Sequence, residues 1–128
     1  MTVPSWITVW RALAVMAIGV IWAGSLWPAD ELRGLARSGI DHRHVHLAGY
    51  CLVALFLSLG WRRTPLWIIW LISAGLGVLA ELAQEFLTAS RGLDVGDILL
   101  NGQGALAGVV IGALLRFFMR PQKTDVTS

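Results

Sequence analysis

Four long apolar runs separated by short polar stretches organise the chain. The first, Val9 to Trp27, is interrupted only by Arg11, whose stem can lie in lipid while its guanidinium reaches the headgroups. Pro28 closes it. The second run begins near His44 and reaches Trp61, with His44, His46 and Tyr50 confined to its first half, and Arg62-Arg63 end it. Thr64-Pro65 opens the third, Leu66 to Leu87, which stays apolar until Glu81, Gln84 and Glu85. The fourth, Val95 to Phe118, holds Asn101 and a series Gly104, Gly108, Gly112 at the spacing that lets helices pack closely. Each run is long enough to cross a hydrocarbon layer about 30 Å thick as an α-helix.

Between the first two runs, residues 29–40 carry Asp30, Glu31, Arg33 and Arg37 while Leu32, Leu35, Ala36 and Ile40 recur at helical spacing. The stretch is too short and too charged to span, so it predicts a short helix lying on the membrane surface. The pattern as a whole predicts an all-α integral membrane bundle of four transmembrane helices, with a short interfacial helix after the first. One domain covers residues 1–120, and residues 121–128 form a polar cytoplasmic tail.

Composition excludes the soluble alternative. Hydrophobic residues make up 56% of the 128 positions and charged residues 14%, against roughly a quarter charged in a soluble domain; the mean hydropathy is +0.68. A water-soluble core of this size has no use for so much apolar surface, so the lipid bilayer is the expected partner. The net charge of +2 does not predict nucleic-acid binding, because the basic residues flank apolar runs instead of forming a stripe. Cys51, the single cysteine, allows neither an intrachain disulfide nor a thiolate metal motif and reads as a small buried hydrophobe. Ala23-Gly24-Ser25 raises the alternative of a cleaved signal peptide, but Trp27-Pro28 directly after it is a poor cleavage context. Trp22, Trp27, Trp61 and Trp67 fit interfacial anchors.

With four crossings, Arg11, Arg62, Arg63, Arg116, Arg120 and Lys123 share one side, and Arg33, Arg37, Arg43 and Arg91 the other. The bias toward the first side predicts that both termini and the Arg62-Arg63 loop face the cytoplasm. The opposite, outer face then receives Ser25, Asp41, His44, His46, Tyr50, Glu81, Gln84, Glu85, Arg91, Asp94, Asp97 and Asn101 from four separated segments. His46 and Tyr50 are four apart, Glu81 and Gln84 three, Asp97 and Asn101 four, so each pair shares one helix face. Polar groups this costly in lipid face a partner or a watery cavity, which makes the cluster a candidate site. The blander readings are that Asp94 caps the fourth helix, that Arg91 pairs with Glu81 or Asp97, and that the remaining groups bond the helices together. His42 and His44 read as solvated loop histidines.

The order of these residues resembles the VanZ-like family, small bacterial membrane proteins named after an accessory protein of teicoplanin resistance. The resemblance rests on Ser25-Leu-Trp-Pro28, on His46 with Tyr50, on Gly77-x-x-x-Glu81-x-x-Gln84, and on Arg91 followed by Asp97-x-x-x-Asn101-x-x-Gly104-x-x-x-Gly108. The chain departs from the family pattern of an acid followed by lysine, with histidine four places after the acid. His42 and Arg43 hold those two places and Asp41 is displaced by one, so a basic role carries over to Arg43 and no essential carboxylate to Asp41. The resemblance implies a multi-pass protein of the bacterial cytoplasmic membrane that binds or modifies a cell-envelope lipid or peptidoglycan-related ligand and affects glycopeptide susceptibility.

Two chemistries are open to the outer cluster. In the first it binds an envelope component, with Ser25, Arg43, Tyr50, Gln84, Arg91 and Asn101 as contacts and the arginines on an anionic headgroup. In the second His46, Glu81 and Asp97 act as acid and base while Arg91 and Asn101 stabilise charge. No serine or cysteine nucleophile motif supports an enzyme. A metal would use His46, Glu81, Asp94 and Asp97, but the sequence lacks a tight motif such as His-Glu-x-x-His, and neither metal nor cofactor is expected. A purely structural role in a membrane assembly would rest on Gly104, Gly108 and Gly112, which more simply pack helices within the chain.

Overall fold

A computed structural model describes residues 5–28, 39, 41–89 and 92–119, and these form four helices and no strand. They are α1 (Trp6–Ser25), α2 (His42–Gly60), α3 (Leu66–Leu87) and α4 (Val95–Phe118). At 20, 19, 22 and 24 residues, all four are long and apolar enough to cross a membrane. The interfacial helix expected across 29–40 lies, apart from Gly39, outside the described residues, and so do Arg91 and the tail 121–128.

Local chemistry sets the helix ends. Ser5 caps α1 by accepting the Thr8 backbone N–H. The Asp41 side chain accepts the Arg43 N–H at 3.1 Å, so α2 starts at His42, two residues before the expected boundary, with Gly39 at φ 84 ahead of it. Pro65 leads into α3, whose end is tied by Thr88 bonding through both its amide and its hydroxyl to the Gln84 carbonyl. Asp94 caps α4 through the Gly96 N–H, as expected, and Asp97 lies in the first turn where the helix dipole favours a negative charge.

The most extensive interface joins α2 to α4, and α1 lies against α2. Small residues explain it. A Cβ on Gly104 would collide with the Leu47 carbonyl, one on Gly108 with the Cys51 carbonyl, and one on Gly112 with the Ser58 side chain. The glycine series therefore packs helices within one chain and brings two backbones into direct contact. Ala54, Ile69, Ala105 and Val109 form the buried apolar centre. Leu79, Phe86, Leu99, Leu106 and Leu114 remain exposed, as expected of side chains that face lipid instead of water.

At one end of the bundle, the basic end, arginines bind backbone carbonyls. Arg116 donates to Ser58, Thr64 and Trp61, and Arg11 donates to Gly60 at 2.9 Å while lying over the Trp61 ring. At the other end α1 and α3 finish and α2 and α4 begin, which is the convergence expected of the outer cluster.

Candidate functional site

Three helices supply the centre of the polar end. From α2 comes His46, from α3 Glu81, and from α4 Asp97 and Asn101, with relative exposures of 7%, 0%, 6% and 0%. His46 Nδ1 and Asn101 Oδ1 are 2.9 Å apart, so in this arrangement the ring nitrogen donates and the carboxamide oxygen accepts. Gly77 makes the approach possible: a Cβ there would press on Asn101 Cβ at 2.7 Å. This accounts for the glycine one turn before Glu81.

Glu81 is held at one oxygen and free at the other. Its Oε2 accepts the Asp94 backbone N–H at 3.4 Å, whereas Oε1 lies 3.9 Å from His46 Nδ1 with no hydrogen-bond partner. Asp97 repeats the arrangement, with Oδ2 3.5 Å from His42 Nε2 and Oδ1 without a partner. Asn101 Nδ2 is also unpartnered. One turn beyond Glu81, the exposed Glu85 accepts the Leu93 N–H at 2.7 Å, so two carboxylates of α3 hold the segment that leads into α4.

Buried carboxylate oxygens without partners are expensive. One potential ligand atom from each of His46, Glu81 and Asp97 lies within 4.8 Å of the other two. Two ionised carboxylates at that separation repel by about 3 kcal/mol at an effective dielectric near 20. If both are ionised, that repulsion adds to the cost of their burial, which neutral side chains of similar shape would not incur.

The other expected site residues fall differently. The Tyr50 hydroxyl donates to the Leu76 carbonyl at 3.3 Å, and Gln84 Nε2 donates to the Ser25 carbonyl at 2.9 Å. Both are buried and tie one helix to the backbone of another. Ser25 thus enters through its carbonyl. Arg43 is exposed in the first turn of α2, and its side chain makes no hydrogen bond or ion pair among the described residues. Arg91 lies outside them. Asp41 is exposed, and accepting the Arg43 N–H holds its carboxyl below the ordinary range.

His42 is the residue that the sequence reading missed. It is the first residue of α2 and not a loop residue, its ring meets that of His46 edge-on at 6.2 Å, and its Nε2 approaches Asp97. The spacing His42-x-x-x-His46 was the available signal, hidden by placing the helix start at His44. Of the four residues named for a metal, His46, Glu81 and Asp97 come together, while Asp94 turns its carboxylate to the α4 cap. Two cavities, one of about 30 Å³ bordered by Trp6, Trp10 and Arg62 and one of about 240 Å³ bordered by Leu57, Trp61 and Ile72, do not touch this centre.

The fold and site define a membrane-spanning four-helix bundle with a buried imidazole and carboxylate centre near one end. Compared with family models, curated proteins and solved structures, the chain matches none.

Proposed function

We propose that this chain is a VanZ-like protein of the bacterial cytoplasmic membrane whose polar end faces outward and binds or modifies a cell-envelope lipid or peptidoglycan-related component, thereby altering glycopeptide susceptibility. The observation that carries the reading is the unpartnered Glu81 Oε1, Asp97 Oδ1 and Asn101 Nδ2, buried together from two helices beside His46 on a third. Three unpartnered atoms gathered in one buried centre are more than packing usually leaves. The charge bias, which favours a cytoplasmic Arg62-Arg63 loop, supports an outward site.

Teicoplanin susceptibility tests the proposal in cells with the gene present, deleted, and carrying Asp97→Asn or Arg91→Ala. Deletion and both variants are expected to shift susceptibility in the same direction. An unchanged response in all three sinks the envelope reading. A second reading, acid-base catalysis on an envelope lipid or peptidoglycan precursor, draws on His46 Nδ1 and Glu81 Oε1 lying 3.9 Å apart, a pair that must close to about 3 Å before a proton passes directly. Turnover of such precursors by the purified protein, lost in Glu81→Gln, distinguishes it from binding.

A further inference from the structure

We propose that His46, Glu81 and Asp97 form a binding site for one first-row divalent cation, zinc or manganese. The inference rests on reading this centre as a ligand site, and it reverses the expectation of no metal drawn from the missing His-Glu-x-x-His motif. Such motifs place ligands on one helix. Here α2, α3 and α4 contribute one each, which leaves no compact signature in the sequence.

Each candidate carboxylate is held at one atom and leaves another available. Glu81 is fixed through Oε2 by the Asp94 N–H and leaves Oε1; Asp97 meets His42 through Oδ2 and leaves Oδ1. His46 bonds Asn101 through Nδ1, the same nitrogen that faces Glu81 Oε1 at 3.9 Å; its neutral ring in that tautomer carries the lone pair on Nε2, and a change of tautomer is what frees Nδ1 for the ion. Outer partners of this kind orient ligands in metal sites.

Size and donor type narrow the ligand. One donor atom from each of the three residues lies within 4.8 Å of the other two, a span that fits an ion and not a headgroup. Metal bonds of about 2.0–2.2 Å place neighbouring donors roughly 3–3.6 Å apart, so the most widely spaced donors have roughly 1–2 Å to close. Imidazole with two carboxylates suits zinc or manganese. A divalent charge also offsets the two carboxylates that otherwise repel in a dry centre. His42, with its side chain 56% exposed, reaches Asp97 from the surface, so the site lies one side chain from solvent.

The test is metal content and binding of the full chain in detergent, purified without chelators and probed with Zn²⁺ and Mn²⁺. About one ion per chain is expected, with affinity reduced roughly 100-fold or more by Glu81→Gln or Asp97→Asn and about 10- to 100-fold by Asn101→Ala. Where a variant fails to fold, the wild type carries the test: a chelator lowers its melting temperature and added Zn²⁺ or Mn²⁺ restores it. The proposal is overturned if the folded wild type binds neither ion saturably, or if a folded Glu81→Gln, Asp97→Asn double variant binds as well as the wild type. The two readings fail separately. Altered teicoplanin susceptibility without a bound ion overturns the metal and leaves the envelope role, and a bound ion with unchanged susceptibility does the reverse.

Discussion

The two ends of the bundle handle charge in opposite ways. At the basic end, Arg116 spreads its guanidinium over the carbonyls of Ser58, Trp61 and Thr64, and Arg11 closes on Gly60. These cations bind carbonyls where α2 ends and the loop begins, and one neutral hydroxyl, Ser58 Oγ, is an unpartnered buried atom nearby. At the polar end, Glu81 and Asp97 are more deeply buried than either arginine, yet each keeps an oxygen with no partner. Charge at the first end completes a fold. At the second it leaves buried oxygens unpartnered, which the proposed site would use and a brace would not.

The largest expected effect tests what keeps the two ends in register. Gly108→Val drives side-chain carbon into the Cys51 carbonyl, and backbone cannot yield as a flexible side chain does. A loss of about 3 kcal/mol or more is expected, seen as a collapse of thermal stability in detergent. Gly102→Ala is the control, because a Cβ there meets nothing within 4 Å. Equal losses from both would show that the glycine contact is not what joins α2 to α4.

Next comes the contrast between ends. Arg116→Ala removes three carbonyl contacts at a partly buried position and is expected to cost about 2 kcal/mol. Asp97→Asn is expected to move metal-free protein the other way, stabilising it by about 1 kcal/mol through relief of carboxylate repulsion, while any envelope effect is lost. Thermal or denaturant unfolding of both variants decides it. If Asp97→Asn destabilises as much as Arg116→Ala, the polar end is a brace too. A smaller loss, about 1 kcal/mol, is expected for Gln84→Ala, which deletes the donor to the Ser25 carbonyl and frees the end of α1 without touching the unpartnered oxygens.

The sequence revealed the spans because lipid imposes a simple rule: backbone groups must pair within each helix, so every crossing is a long apolar run. The boundaries of α3 and α4 followed directly. The start of α2 did not, since Asp41-His-Arg-His reads as a polar loop until the Asp41 cap is seen. Partner choice was also hidden. Tyr50 and Gln84 share helix faces with His46 and Glu81, but whether such a side chain meets a ligand or a neighbouring carbonyl depends on helix rotation, which spacing along one helix does not fix. The arginines of the basic end pointed to topology, and their carbonyl partners became visible only once α2 and α4 were side by side.

The smallest expected effect concerns Asp41, where the polar end meets solvent. Its carboxyl is held below the ordinary range, chiefly by accepting the Arg43 N–H and further by the nearby histidines and Arg43. A carboxyl whose pKa is lower folded than unfolded contributes stability at pH values above the unfolded pKa, and loses it as pH falls through the folded value. Acid should therefore loosen the first turn of α2, the turn that carries His42 toward Asp97. Asp41→Asn keeps a capping oxygen but cannot titrate, so its unfolding should depend less steeply on pH below the ordinary carboxylate range than the wild type's, with little difference at neutral pH. Comparing the two slopes isolates Asp41 from the other carboxylates. Parallel slopes would mean that the cap adds no pH sensitivity to this end, and that the start of α2 is held by packing against α4.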